Sequence, residues 1–547
     1  MIQSIFRAVT IRVSGLQQAA FWLALFSGLS LLLGFVRDRI LAHYFGAGLE
    51  LDMYYAAFEI PDILFVTAAS VVSASILVPM FALRAREPKE LASFINTIFS
   101  YFSVFIVIAC VLAFVFMPEL VQIFFGGFEA EASKQVIYFS RILLLSPLFL
   151  GFSNFFGSII QYEKRFLLYS LSPLLYNTGI IGGLAFGAVK FGIVSAVFGV
   201  VIGAFLHMAI QAIFVFSSSE RPRFEKQILS HASWLEIKKV FTLSIPRAIS
   251  LSAGSLVGLF FVAMASRLSV GSIAVFTLAF NLQAALLSLV GGSFSMAAFP
   301  TLSEHYVKKE IQLLIDCLSR GLRHIIFWAL PASALFIILR AHIVRVVLGS
   351  GAFDWSDTRM TAAVLALFVV SVVFQCLQLF LTRAHYAFGK TRGPLFNNMA
   401  GAVFTVFLAF VILNFSSVFS PFFSFVGEML KVEDLSRVNV LVLPFSFSLG
   451  AFISAALLWF SIEKNIRIEI EQSIIKTVRD GVLSSLALSL GIIFALRALN
   501  DYFVLDTLLN VFLHGLFSGL FGIACAVLVL FLLNNHELGE ITKSREV

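Results

Sequence analysis

The sequence predicts an all-α polytopic membrane protein. About fourteen transmembrane helices are expected, as two pseudo-symmetric six-helix lobes around a central cavity plus two C-terminal helices. Three observations predict it. Of the 547 residues, 60% are hydrophobic and 13% charged, with a mean hydropathy of +0.97. A water-soluble domain of that composition could not cover its surface with polar groups. Apolar runs of ~20 residues recur from Ala19 to Leu533, each long enough to cross a hydrocarbon core of ~30 Å. The first half of the chain is also repeated in the second at an offset of about 220 residues.

The spans follow from where apolar runs are broken by short polar turns. Span 1 centres near Leu33 and is unusual in carrying Arg37, Asp38 and Arg39. Span 2, near Thr67, contains "FEIPDI" (Phe58 to Ile63). Spans 3 to 6 centre near Phe105, Leu150, Ile180 and Ile202, with Arg141 in span 4. Span 7, near Leu256, carries Arg247, after Pro246, early in its length. Spans 8 to 14 centre near Leu287, Leu330, Val370, Thr405, Ala451, Leu488 and Leu520. The expected division is an N-terminal lobe over 1–218, a cytoplasmic linker over 219–234, a C-terminal lobe over 235–465, and two additional spans with a tail over 466–547.

The turns alternate in charge. One set holds "RAREPK" (Arg84 to Lys89), "EKR" (Glu163 to Arg165), "RPRFEK" (Arg221 to Lys226), "VKK" (Val307 to Lys309) and "GKTR" (Gly389 to Arg392). The other holds "GLELD" (Gly48 to Asp52), "FEAEASK" (Phe128 to Lys134), "FDWSD" (Phe353 to Asp357) and "VEDL" (Val432 to Leu435). Because basic residues stay on the cytoplasmic side, both termini are expected there. The net charge of +7 therefore reflects topology and contact with the bilayer, not nucleic acid. The opening "MIQSIFRAVTIRVSG" reads as a basic amphipathic lead-in without a cleavable signal.

The repeat aligns "SVVSASILVPMFALRAREPKELASFINTIF" (Ser70 to Phe99) with "GGSFSMAAFPTLSEHYVKKEIQLLIDCLSR" (Gly291 to Arg320). Upstream, "AAFEI" (Ala56 to Ile60) matches "LAFNL" (Leu278 to Leu282), which puts Asn281 opposite Glu59. Six spans per repeat give two copies of the same orientation, the pattern of alternating-access transporters. A channel would need a ring of charge or a filter loop. An integral-membrane enzyme would need a nucleophile, metal or acid–base cluster, and the nine histidines are scattered without an HExxH or comparable pattern. No cofactor is expected. Cys110, Cys317, Cys376 and Cys525 sit in apolar runs without paired spacing, as small core residues do. The 63 phenylalanines are expected to pack and to face lipid.

Ionisable groups at membrane depth cost at least ~2.5 kcal/mol each and generally face a cavity or a partner. Neighbours on a helix point about 100° apart, so Arg37, Asp38 and Arg39 cannot share one face. Arg37 and Asp38 can partly neutralise each other around a cavity. Alternatively, span 1 ends near Val36 and the triplet lies at the interface. In span 2, Glu59 and Asp62 flank Pro61 and share a face, able to pair with Arg37 or Arg39 or to mark the outer mouth. Arg141 and Arg247 are further candidates, although such residues also serve as end-of-helix anchors. Pro61, Pro79, Pro246 and Pro300 are expected bending points. This concentration of charge in the first lobe suggests a substrate with an anionic group.

"LGFVRDRILAHYFGAGLELDMYYAAFEIPD" (Leu33 to Asp62) resembles the opening of the MurJ/MviN family, lipid II flippases of the multidrug/oligosaccharidyl-lipid/polysaccharide exporter superfamily. "ILVP" (Ile76 to Pro79), "EKRF" (Glu163 to Phe166) with Pro173 and Asn177, "FPTLS" (Phe299 to Ser303) and "AHYAFGKTRGP" (Ala384 to Pro394) resemble it too. The resemblance implies residence in the bacterial cytoplasmic membrane and movement of an undecaprenyl-pyrophosphate-linked peptidoglycan precursor to the outer leaflet. It implies that Arg37 and Asp38 line the cavity, where a cationic lining suits pyrophosphate. Arg39, Glu59, Asp62, Arg141, Arg247 and Asn281 complete the candidate substrate-binding set. The chain also departs from the family pattern. Leu31, Phe65 and Val66 replace arginines, Ser70 and Val71 replace a Glu-Gly pair, and Asn281 replaces an arginine of span 8. No aspartate in span 7 supplies the acidic sodium ligand that some members carry.

The expected function is a lipid II flippase working by alternating access as a monomer. Its partners would be the bilayer and a polyprenyl-pyrophosphate-linked glycan, with coupling to membrane potential or a cation left open. The alternatives are a flippase for another polyprenyl-linked glycan, or a non-transporting scaffold for cell-wall synthesis.

Overall fold

The computed structural model describes residues 16–218, 221–224, 231–390, 392–466 and 472–543; the lead-in and half of the 219–234 linker, including Lys226, lie outside them. The described residues form helices and no strands. Among the described residues, twelve helical segments are long and apolar enough to cross a membrane, from Leu49–Arg84 to Leu508–Leu532, and each covers one of the expected span centres. The two remaining expected centres, Leu33 and Leu256, fall on α1 (Leu16–Phe45) and α10 (His231–Ala265). By contact the chain divides into residues 1–273 and 274–547, so α10, which packs against α2 (Leu49–Val71), belongs to the first unit.

In the first unit, α1 runs unbroken through Arg37–Arg39 to Phe45, so the helix itself does not end at Val36. α2 passes through Pro61 without ending. A proline cannot donate to the carbonyl four residues earlier, which here is Ala57 O. Ser140 Oγ, from α6 (Ala130–Leu143), donates to that carbonyl at 3.1 Å and replaces the missing bond. The chain breaks instead at Val72–Ser73, before α3 (Ala74–Arg84). Ser158 Oγ of α7 (Leu145–Tyr162) donates to Val72 O at 2.8 Å, so the break is a satisfied structure and not a defect.

α4 (Pro88–Val115) and the short α5 (Met117–Phe124) follow, then α6, α7, α8 (Phe166–Phe191) and α9 (Val194–Ser217). The last two pack backbone to backbone. A Cβ on Gly179 would come within 2.3 Å of Gly203 Cα, and one on Gly203 within 2.3 Å of Tyr176 O. Small residues spaced four apart on both helices permit this approach. A buried cluster around Phe81, Phe94 and Phe155 fills the space between α3, α4 and α7.

The second unit repeats this order. α11 (Ser272–Leu287) leads through a π-helical turn at Ser288–Gly292 into α12 (Ser293–Val307), then α13 (Ile311–Ile338) and the short α14 (Arg340–Val347). α4 and α13 each have 28 residues, and α5 and α14 each have 8, so the repeat is kept in helix length as well as sequence. The π turn lies within a few residues of the place matching Val72–Ser73. Both interruptions precede Pro79 and Pro300, which sit inside helices; a wide turn or a break absorbs the bend where small Ser and Gly residues allow it.

α15 (Trp355–Ala387), α16 (Arg392–Asn414) and α18 (Val442–Ile466) complete this repeat, with α17 (Ser416–Leu430) inserted before α18. α19 (Gln472–Leu499) and α20 (Leu508–Leu532) form the expected additional pair. The terminal α21 (His536–Lys543) fastens them: Glu537, 2% exposed, lies 3.3 Å from Arg323 of α13 and accepts from Thr477 of α19 at 2.7 Å. Phenylalanines divide as expected, Phe81 and Phe368 being fully buried while Phe186 and Phe531 stay exposed.

Candidate functional site

α1 is apolar from Trp22 to Val36 apart from its serines, and the first charges it meets form a pair. Arg37 Nε donates to Asp38 Oδ1 at 2.9 Å, and Nη2 lies 2.8 Å from the same oxygen. Neighbouring side chains diverge on a helix, but the long guanidinium folds back across the gap. Asp38 is 3% exposed, which is tolerable for a carboxylate only beside a cation.

Arg37 also reaches out of its own helix. Its Nη1 donates to Asn177 Oδ1 of α8 at 3.3 Å. Asn177, buried, spends its amide hydrogens on Ser30 Oγ at 3.2 Å and on Pro173 O at 3.4 Å. Pro173 had freed nothing at that carbonyl; Asn177 simply doubles a helical bond. The result is a ladder, Ser30–Asn177–Arg37–Asp38, that clamps α1 to α8 and fixes the guanidinium. Tyr54 and Tyr55 of α2 lie within electrostatic reach of both charges, and the buried Tyr55 hydroxyl has no hydrogen-bond partner.

Beside the ladder lies a cavity of about 470 Å³ lined by α1, α2, α7, α8 and α9 of the first unit. Ser30 belongs to both cavity and ladder. Its wall is mostly apolar, interrupted by Ser27, Asn154 and Tyr176, and His207 and Gln211 of α9 add two more polar side chains.

The other candidates separate. Arg39 is half-buried on α1. Glu59 and Asp62 share one face of α2 and act on each other electrostatically, Glu59 half-buried within 3.6 Å of where a Cβ on Gly258 would sit, and Asp62 exposed. Neither pairs with Arg37 or Arg39, because Asp38 takes the Arg37 guanidinium. Arg141 is an anchor: its Nε donates to Phe114 O at 3.2 Å and its guanidinium stacks on the Phe114 ring at 4.7 Å, capping the end of α4. Arg247 lies on α10, its side chain outside the described residues. Asn281 is half-buried on α11 of the second unit. Among the described residues no group of three or more His, Cys, Asp or Glu side chains could hold a metal ion.

Asn177, His207 and Gln211 were not in the sequence-derived set of site residues. Each is a polar residue in the middle of an apolar helix, which is itself the signal that could have found them.

Comparison with known proteins agrees with this architecture. The family model described as lipid II flippase MurJ matches residues 41–513, beginning just after the Arg37–Arg39 triplet. A probable lipid II flippase MurJ of Borreliella burgdorferi is 26% identical over 397 residues, 71% of this chain and 76% of the relative. A solved structure of lipid II flippase MurJ in an inward closed conformation superposes with a TM-score of 0.73 at 19% identity, over 95% of this chain and 99% of that one. An inward-facing multidrug resistance MATE family transporter of the MOP superfamily gives 0.63 at 15% identity, over 80% and 94%. The last two establish the fold, and the first, spanning most of the sequence, establishes descent: the chain belongs to the lipid II flippase MurJ family.

Proposed function

We propose that this protein moves lipid II, the lipid-linked peptidoglycan precursor, from the inner to the outer leaflet of the bacterial cytoplasmic membrane by alternating access, with both chain termini on the cytoplasmic side. The observation that carries this reading is the Arg37–Asp38 pair, held by Asn177 at the end of the apolar stretch of α1 from Trp22 to Val36. A guanidinium fixed in place offers two parallel donors to a pyrophosphate oxygen pair. With Asp38 beside it the resting site is close to neutral, so the helix avoids the cost of an isolated charge. An arriving pyrophosphate competes with Asp38 for the same donors, which makes binding reversible, as transport requires.

A second reading has its own observation. Asn281, Leu31, Phe65 and Val66 stand where arginines are expected from the resemblance, so the cationic lining is thinner. That favours another polyprenyl-linked glycan, or a scaffold that binds precursor without moving it. Expression in a bacterium depleted of its own lipid II flippase separates these. Growth that is lost with Arg37→Ala supports flipping; correct insertion without growth overturns it.

A further inference from the structure

The cavity beside the ladder has a feature that lipid binding does not use. His207 of α9 faces Ser153 of α7, with its Nδ1 2.7 Å from Ser153 Oγ. The same hydroxyl lies 3.3 Å from His207 O, and it has one proton to give. One arrangement has Ser153 donating to the carbonyl and accepting Nδ1–H from the ring. The free ring nitrogen, Nε2, is then an acceptor. One turn along α9, Gln211 is fully buried, its Nε2 donating to Ser172 Oγ at 2.9 Å while its Oε1 has no partner. Exchanging the amide's oxygen and nitrogen would leave the other atom unsatisfied instead. His207 and the buried Gln211 thus bring two polar groups, on one helix face, to a space of about 470 Å³ that is large enough to hold water.

Resting on the function proposed above, we propose that this cavity is a proton-uptake site: His207 Nε2 accepts a proton from hydronium in the cavity, leaving water and an imidazolium, when the lipid pyrophosphate binds at Arg37. The contacts supply a route for coupling. Ser30 lines the cavity and accepts from Asn177, whose carbonyl oxygen holds Arg37. A second positive charge in the cavity strengthens the field that holds an anion, and by linkage the anion raises the affinity for the proton equally.

The neighbours leave His207 in that role. α7 brings Tyr162 but no charged side chain. α8 brings Tyr169 and Tyr176 to the cavity wall, with Lys190 only at its far end. α6 brings Tyr138, Arg141, which is committed to Phe114, and Lys134, which is paired with Glu131 at 3.1 Å. From α1 and α2, Arg37 and Asp62 both act electrostatically on Tyr176. Among the described titratable side chains of the cavity wall, His207 alone is an imidazole.

The test uses the full chain in weakly buffered micelles with lipid II as ligand, recording proton uptake by a pH indicator and affinity by calorimetry in the same samples. Wild type is expected to take up a proton fraction that His207→Asn does not, and to bind three- to tenfold more tightly at pH 4.5 than at pH 7, with the variant's affinity flat. The difference between the two proteins removes the lipid's own titration. Binding with identical uptake in both proteins overturns the proposal while leaving the flippase reading intact; absence of wild-type binding at either pH overturns both. Should His207→Asn not assemble, Ser153→Ala keeps the imidazole but removes the acceptor of Nδ1–H, and must shift the midpoint of the affinity profile to lower pH. An unshifted midpoint counts against the site.

Discussion

Replacing Arg37 by alanine gives the sharpest measure of the pair. The two side chains are unequally placed: Arg37 retains 23% of its accessibility and Asp38 only 4%. Arg37→Ala therefore takes the guanidinium from a carboxylate with almost no water of its own. Removing one member of a buried pair costs about 3–5 kcal/mol. The lower figure, about 3 kcal/mol, applies here because Asp38 makes a further polar interaction. Asp38→Ala leaves a guanidinium that still reaches Asn177 and some solvent, so the loss is about 1–2 kcal/mol. With both removed, no charge is stranded, and the double variant is expected to lose less than the sum, with a coupling near 2 kcal/mol. Reversible unfolding of the four proteins in mixed micelles measures this cycle. Additive losses would refute the pairing argument. Growth in flippase-depleted cells should fail in both Arg37 variants despite their different stabilities, which separates the site's chemistry from its packing.

Three further outcomes test the frame around the site. Gly203→Ala drives a methyl against the Tyr176 carbonyl, a backbone atom that cannot swing aside, and should cost about 3 kcal/mol on the same unfolding assay. Ser140→Ala leaves the carbonyl that Pro61 frees without its donor, and should lose about 1–2 kcal/mol, whereas the same change combined with Pro61→Ala should be close to neutral. His342 of α14, whose Nε2 lies 3.1 Å from His514 Nδ1 of α20, is pushed down to about 4 by burial, then by His514 and Arg345. A lowered value means that the neutral ring belongs to the docked state. Its contribution is complete above pH ~6.5 and is lost as pH falls toward about 4. The full loss is at most about 3 kcal/mol. Crosslinking between α14 and α20 across this range should weaken at the acid end, and His342→Phe should flatten the profile.

The membrane class and the positions of the helices were legible because hydropathy is a sum over many residues and survives local exceptions. The repeat was legible for a related reason: Pro79 and Pro300 mark equivalent places, and 28-residue helices followed by 8-residue ones recur where the sequences align. Which residues bend the chain was not. Pro61 looks like a kink in sequence, yet Ser140, 79 positions later, supplies the lost bond, and no local pattern encodes that partner. The charged candidates divide in the same way. Arg37 and Asp38 are neighbours, so their pairing could be anticipated. Arg141 depends on where the end of α4 arrives, and Asn177 on which helix lies against α1.

The two halves share helices but not chemistry. Glu59 and Asn281 occupy matching places in the repeat, and of the two only the first can carry a charge. Duplication fixes helix lengths, because these answer to bilayer thickness on both sides. It does not fix polar residues, since a buried charge is kept only where a partner and a use maintain it. In the first half that partner is a chain of contacts through α8: Asp38 neutralises Arg37, Asn177 orients it, and Ser30 joins both to the cavity wall. An apolar replacement of Asn177 isolates the contribution of that chain. Asn177→Leu keeps the volume, leaves the Arg37–Asp38 pair in place and removes the clamp, so insertion should persist while growth of flippase-depleted cells falls. Undiminished growth would mean that Arg37 needs only its charge, and that its fixed orientation is incidental.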